Sequence, residues 1–156
     1  MGLISDTHGV FDPRVLGVFA EYGPLAAIVH AGDVGPHAEV LWELEALAPV
    51  TAVLGNSDHF VPGWQLSGLA RTTVAGCTIL VVHDIESLGQ VPSGVDVIVR
   101  GHTHVPSVQT RGHVLVVNPG SASQRRRMPS RSVAILEIAQ GEAPRADIIM
   151  LDDFGK

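Results

Sequence analysis

Gly2-Leu3-Ile4-Ser5-Asp6-Thr7-His8 opens the chain as a short run of apolar and small residues that ends in a carboxylate and an imidazole. Residues 2–5 read as a strand, with Asp6 to Gly9 as the loop at its end. The same pattern returns twice. Ala26–His30 runs into Ala31-Gly32-Asp33, and Val50–Leu54 runs into Gly55-Asn56-Ser57-Asp58. Between these strands, Asp12-Pro13 reads as an N-cap followed by proline in the first helical turn, with Gly23 as the stop. Leu16, Phe19 and Ala20 would give that helix its apolar stripe. A second helix from about His37 to Leu47 places Val40, Leu41, Leu44 and Leu47 on one face, and Pro49 ends it. Strands separated by helices in this order predict parallel pairing with right-handed crossovers.

The second half changes character. Leu69–Val74 and Cys77–Val82 are joined by Ala75-Gly76, a two-residue hairpin connection. Val95–Val99 follows, then Val105–Thr110 and His113–Val117 around Arg111-Gly112, and finally Ser132–Ile138 and Ala146–Leu151. A parallel first half followed by hairpins predicts an α/β domain spanning residues 1–156. Two mixed β-sheets would pack face to face with helices outside. The first strand is short, and its edge is expected to be weakly held.

Composition narrows the function. The chain has 156 residues, 46% of them hydrophobic but only 17% charged, which suits strands buried on both faces. Its apolar runs are broken by Gly, His or Asp well short of a membrane span. Asp6 and His8 interrupt the only apolar N-terminal stretch, so no secretory signal is expected. Asp6 also stands where a myristoylation motif needs Ser or Thr. Cys77 is the only cysteine, which precludes an internal disulfide and points to the cytoplasm. A net charge of −6 argues against a general nucleic-acid binder, but not against a phosphate substrate.

Seven residues at the ends of apolar runs are good metal ligands: Asp6, His8, Asp33, Asn56, His83, His102 and His104. That is too many for one tetrahedral ion and suits two ions sharing a bridging group. Asp6 and His8, two apart, would share a face and grip one ion. Asp33 is the natural bridge, since one carboxylate has lone pairs enough for two cations. Asn56 offers an amide oxygen. His102 and His104 sit on a loop able to send each to a different ion. The mixed nitrogen and oxygen set suits Mn, Fe, Zn or Co better than Ca. Two dications against the carboxylates of Asp6 and Asp33 would leave a net positive site in an acidic protein.

The series Asp6-x-His8, Gly32-Asp33, Gly55-Asn56-x-Asp58, His83, Gly101-His102-Thr103-His104 resembles the calcineurin-like metallophosphoesterases, and most closely their small single-domain phosphodiesterase branch. Asn118-Pro119-Gly120-Ser121 resembles that branch too, so the likeness spans residues 4–121. The resemblance implies a four-layer α/β sandwich. It assigns Asp6, His8 and His104 to a first metal and Asn56, His83 and His102 to a second, with Asp33 between them. Two divalent ions are implied, Mn foremost, with Fe, Zn, Ni or Co as alternatives. The implied reaction is hydrolysis of a small phosphodiester or nucleotide-like substrate, by in-line attack of a metal-bridging hydroxide. Asp33, Asn56 and Asp58 then lie nearest the chemistry, with Asp58 expected to orient a ligand imidazole. A homodimer is compatible with the resemblance, and no membrane partner is expected. Phosphomonoesterase activity is the neighbouring alternative. A protein-binding scaffold, as in the retromer subunit of this fold, is the other.

Two departures from the family pattern stand out. Ser57 occupies the place where many members carry His, a group that protonates the leaving alkoxide. Its loss predicts modest rates and a preference for activated diesters, because general acid catalysis contributes ~10²–10⁴-fold. Asp84 follows His83 where Gly is usual, either orienting that imidazole or facing solvent. Of the remaining features, His30 reads as a buried core histidine, His37 as exposed and His113 as a turn residue. The Arg125-Arg126-Arg127 run, with Arg131 behind it, is either a solvated loop or a basic loop meeting an anionic part of the substrate. Phe60 and Trp64 suit either the core or a groove rim.

Overall fold

The computed structural model describes residues 1–61, 63–126, 128 and 130–155. Ten strands form two five-stranded mixed sheets. The first contains β1 (Gly2–Ile4), β2 (Ile28–His30), β3 (Val50–Ala52), β9 (Ser132–Glu137) and β10 (Arg145–Met150) in the order β10-β9-β1-β2-β3. The second contains β4 (Leu69–Val74), β5 (Cys77–Val82), β6 (Val97–Val99), β7 (Ser107–Arg111) and β8 (Val114–Asn118) in the order β4-β5-β6-β8-β7. In each sheet three strands run parallel, β1-β2-β3 and β5-β6-β8, and the hairpin partners are antiparallel.

The period-2 alternation of strand side chains sorts the apolar residues into layers. Leu3, Val29 and Ala134 of the first sheet meet Ile79, Val81, Val97, Val99 and Val117 of the second, forming the central core. Ile4, Ile28, Val133 and Ile135 point the other way, onto helices α1 (Arg14–Glu21) and α2 (Glu39–Glu45). The outer face of the second sheet, with Leu80, Val82, Ile98 and Val116, is covered by Ile85 and Leu88. Those two belong to a single 3₁₀ turn, Ile85–Leu88, which is all that forms the fourth layer of the sandwich there. Strands buried on both faces explain the low charge content of the sequence.

Four local expectations need correction. β1 is not a weakly held edge: it lies between β2 and β9, and all three of its residues are buried. The buried stripe of α1 is Val15, Val18 and Phe19, rather than Leu16, Phe19 and Ala20. The C-terminal segment decides this, since Leu151 and Phe154 join the layer over that helix. Leu47 lies past the end of α2 and is 40% exposed. Asp84 neither orients His83 nor sits idle: its carboxylate accepts the Glu86 N–H at 3.1 Å and caps the 3₁₀ turn.

Pro13, expected inside the first turn, takes the cap position of α1 (Arg14–Glu21), while the Asp12 carboxylate just before it accepts the Arg14 N–H at 3.0 Å; Gly23 ends the helix region at φ +76°. His30 is fully buried, while His37 and His113 are exposed. Phe60 is 68% exposed, whereas Trp64 packs against the α2 side of the core. Cys77 is buried and free.

Candidate metal centre

The parallel strands of both sheets end at one edge, and the polar residues follow them there. Asp6 and His8 follow β1, Asp33 follows β2, Asn56 follows β3, His83 follows β5, and His102 and His104 follow β6. Among the described residues seven non-glycines adopt positive φ. Five of these are Asp6, His8, Asp33, His102 and His104, at φ between 49° and 71°. Asp and His tolerate this region better than most side chains, yet it is still unfavourable. Five such residues on one edge mark a place where side-chain direction outranks backbone comfort.

Five of the seven donors form two overlapping groups that share Asp6, and Asn56 and His102 face the second. Asp6, His8 and His104 bring one ligand atom each within 4.8 Å of one another, and so do Asp6, Asp33 and His83. His104 Nε2 lies 3.1 Å from Asp6 Oδ1 and 3.4 Å from His8 Nε2. Asn56 Oδ1 faces His83 Nε2 at 3.0 Å and His102 Nδ1 at 2.9 Å. Asp33 stands between the groups, its Oδ2 3.8 Å from His8 Nε2 and 3.4 Å from His83 Nε2.

Two observations test whether this set suits cations. His83 Nδ1 donates to the Ala31 carbonyl at 2.8 Å, so a neutral ring has only a lone pair at Nε2. That nitrogen points at two acceptors, Asn56 Oδ1 and Asp33 Oδ2. Three lone pairs facing one another need positive charge between them, supplied by a proton or a metal. Asp6 is fully enclosed, and its Oδ1 has no hydrogen-bond partner among the described residues. A buried carboxylate oxygen in that condition is costly unless a cation satisfies it. The donor set therefore fits divalent metal ligation.

Electrostatics agree with the geometry. Burial pushes the Asp6 carboxyl upward, only partly offset by the Ser5 hydroxyl, which donates to Oδ2. Burial also acts on Asp33, but hydrogen bonds from His83 and Ser57 outweigh it and hold that carboxyl well below the usual range. His83 is raised despite its own burial, because Asp33 and the Ala31 carbonyl favour its charged form. His104 is pushed down to about 4, first by burial and then by the charge of Arg126.

The supporting contacts include residues that sequence reasoning missed. Asp58 orients no imidazole. Its carboxylate accepts the backbone N–H groups of Val34 at 2.9 Å, Gly35 at 2.8 Å and Gly55 at 3.0 Å, tying the Asn56 loop to the Asp33 loop. Ser5 holds Asp6, and Ser121 and Ser123 donate to the Asp6 carbonyl at 2.9 and 2.8 Å. Asn118 Nδ2 donates to the Gly101 carbonyl and to Thr103 Oγ1, both at 2.9 Å, so the Asn118-Pro119-Gly120-Ser121 turn lies against the ligand loops. Serines adjacent to ligands carry no periodic signal, and only the Asn-Pro-Gly-Ser motif pointed to any of this. Arg127 lies outside the described residues.

Converging donors at the carboxyl ends of two facing mixed sheets define a metal-dependent phosphoesterase. The calcineurin-like phosphoesterase superfamily domain matches residues 1–141, and the chain belongs to that family. It is 32% identical to a probable metallophosphoesterase of Methanothermobacter thermautotrophicus, over 96% of this chain and 91% of that one. It is 33% identical to the phosphodiesterase YfcE of Escherichia coli K12, over 76% and 77% of the two chains. A predicted phosphoesterase structure from Streptococcus pneumoniae superposes with a TM-score of 0.75 at 27% identity, covering 97% of this chain and 88% of that one. The chain is accordingly a phosphoric ester hydrolase. No helix among the described residues is long and apolar enough to cross a membrane.

Proposed function

We propose that this enzyme is a binuclear phosphodiesterase, acting on small diesters without a covalent enzyme intermediate. The observation that carries the reading is His83 Nε2, bare when neutral and aimed at the oxygens of both Asn56 and Asp33. Asp6, His8 and His104 would hold one ion, Asn56, His83 and His102 the other, and Asp33 both. Mn is the expected metal, and Fe, Zn, Ni and Co suit the same donors. When bound, two such ions supply an activated water and neutralise phosphoryl oxygens.

The chain's own groups do the rest. Ser57 donates its backbone N–H to Asp33 Oδ1 at 2.9 Å, which leaves Oδ2 turned toward the imidazoles. Ala31 fixes the tautomer of His83, and Asp58 holds the two loops in register. Ser57 offers no group with a pKa suited to protonating a leaving alkoxide, which favours diesters with good leaving groups. The single cysteine, free and buried, supports a cytoplasmic setting.

Replacing Asp33 with Asn keeps the size of the side chain but removes the shared charge. The variant is expected to lose diesterase turnover and to retain fewer metal ions per chain by elemental analysis. Full activity with full occupancy would overturn the reading.

A further inference from the structure

A cleft of about 480 Å³ opens beside the metal-facing His104, lined by Thr103, His104, Val105, Arg126 and Met128. Its volume falls within the range of small-ligand sites. No carboxylate appears among these lining residues. Val105, 46% exposed, and the half-buried Met128 give the cleft an apolar wall beside Thr103, His104 and the Arg126 guanidinium.

The arginines of this region divide into two kinds. Arg125 bonds Asp152 at 2.9 Å, and Arg131 reaches both Asp12 at 3.1 Å and Asp152. These pairs pin both ends of the segment against the start of α1. Arg126 lies between them and has no carboxylate partner among the described residues; its Nε reaches only Gln124 Oε1, at 3.3 Å. It also adopts φ +44°, the conformation shared by the metal-facing residues. Among the described residues, Arg126 is thus the arginine that this segment presents, strained and without a carboxylate, to a cleft that shares a wall with the metal centre. Arginine's planar fork matches phosphate and carboxylate oxygens.

Building on the diesterase reading, we propose that this cleft is an anion subsite. Arg126 receives a second phosphate or carboxylate carried on one ester arm, with the arm's apolar part against Val105 and Met128. The substrate class is then a phosphodiester bearing a further anionic group, rather than a neutral diaryl or dialkyl ester.

The test is calorimetric binding to the Mn-loaded protein. Two matched pairs serve as probes: thymidine 3′,5′-bisphosphate against thymidine 5′-monophosphate, and 3-phosphoglycerate against glycerol 3-phosphate. In at least one pair the member with two anionic groups should bind tenfold tighter or better. Arg126→Ala should erase that gain, Arg126→Lys should restore part of it, and Arg145→Ala, which removes an exposed positive charge on β10, should preserve it. Absence of a gain in both pairs would overturn the subsite, as would a gain that survives Arg126→Ala. Loss of the gain in Arg145→Ala would attribute it to overall charge and overturn it too. Hydrolysis of the p-nitrophenyl ester of thymidine 5′-phosphate, measured on the same preparation, tests the diesterase reading separately. Tight Arg126-dependent binding without turnover would sink that reading and leave the subsite standing.

Discussion

Ser57 holds Asp33 through its backbone, with its N–H donating to Oδ1 at 2.9 Å, a contact that any side chain at this position leaves in place, while its hydroxyl adds a second hold on the same carboxylate. Ser57 Oγ itself is only 3.5 Å from His8 Nδ1, at the limit of a hydrogen bond. Ser57→His therefore adds an imidazole at the rim while the Asp33 contact persists. The variant should raise kcat for an alkyl diester by about tenfold or more, within the general-acid range. The gain for a p-nitrophenyl diester should be much smaller, because nitrophenolate needs no proton to leave. Equal gains for both leaving groups would contradict the explanation.

Asp58 is a structural clamp, and its removal is a stability experiment. Asp58→Ala strands three backbone donors, each costing ~1–3 kcal/mol where water cannot reach it. Urea unfolding of the chelated protein should show a loss of about 3 kcal/mol or more. If Asp58 merely steered an imidazole, stability would barely move and only metal affinity would fall.

Gly101 sits where no side chain fits. A Cβ there would overlap Ser5 Oγ and come within 2.7 Å of Asp6 Oδ2. Gly101→Ala should lower stability by roughly 1–3 kcal/mol, as overpacking does. It should also weaken Mn binding, since Asp6 has to shift. Titration of stripped protein with Mn measures the second effect, and unaltered affinity would mean that Asp6 does not hold the ion.

His30 predicts a slope in stability against pH. It is fully enclosed, its Nε2 meets Thr7 Oγ1 at 2.9 Å and its Nδ1 has no partner among the described residues, so burial lowers its pKa from 6.5 to about 4. Between those values the unfolded chain binds a proton that the folded chain refuses. Stability should then fall as pH drops from 6.5 toward 4. His30→Gln should flatten this part of the slope relative to the parent in paired urea titrations at pH 7 and 5. Parallel slopes would show that His30 does not titrate differently on folding.

Much of this was legible in the sequence because parallel strands buried on both faces must be apolar until they end. Asp6, Asp33, Asn56, His83 and His102 each break such a run, and the break marks the sheet edge. What stayed hidden depends on partners distant in the chain. The α1 stripe could be written through Leu16 and Ala20 or through Val15 and Val18, and residues more than a hundred positions away settle it. Asp58 follows Asn56 so closely that in the sequence it reads as a residue orienting a ligand imidazole, yet its oxygens serve Val34 and Gly35. Ser5 looked like strand filler until its hydroxyl met Asp6.

The most direct test of the metal reading compares bis(p-nitrophenyl) phosphate with p-nitrophenyl phosphate, using one preparation stripped by chelator and reloaded with Mn. Activity that vanishes on stripping, returns with two ions per chain and favours the diester is the predicted result. Two bound ions with no turnover of either ester would contradict it, and would point instead to a phosphoesterase fold serving as a binding scaffold.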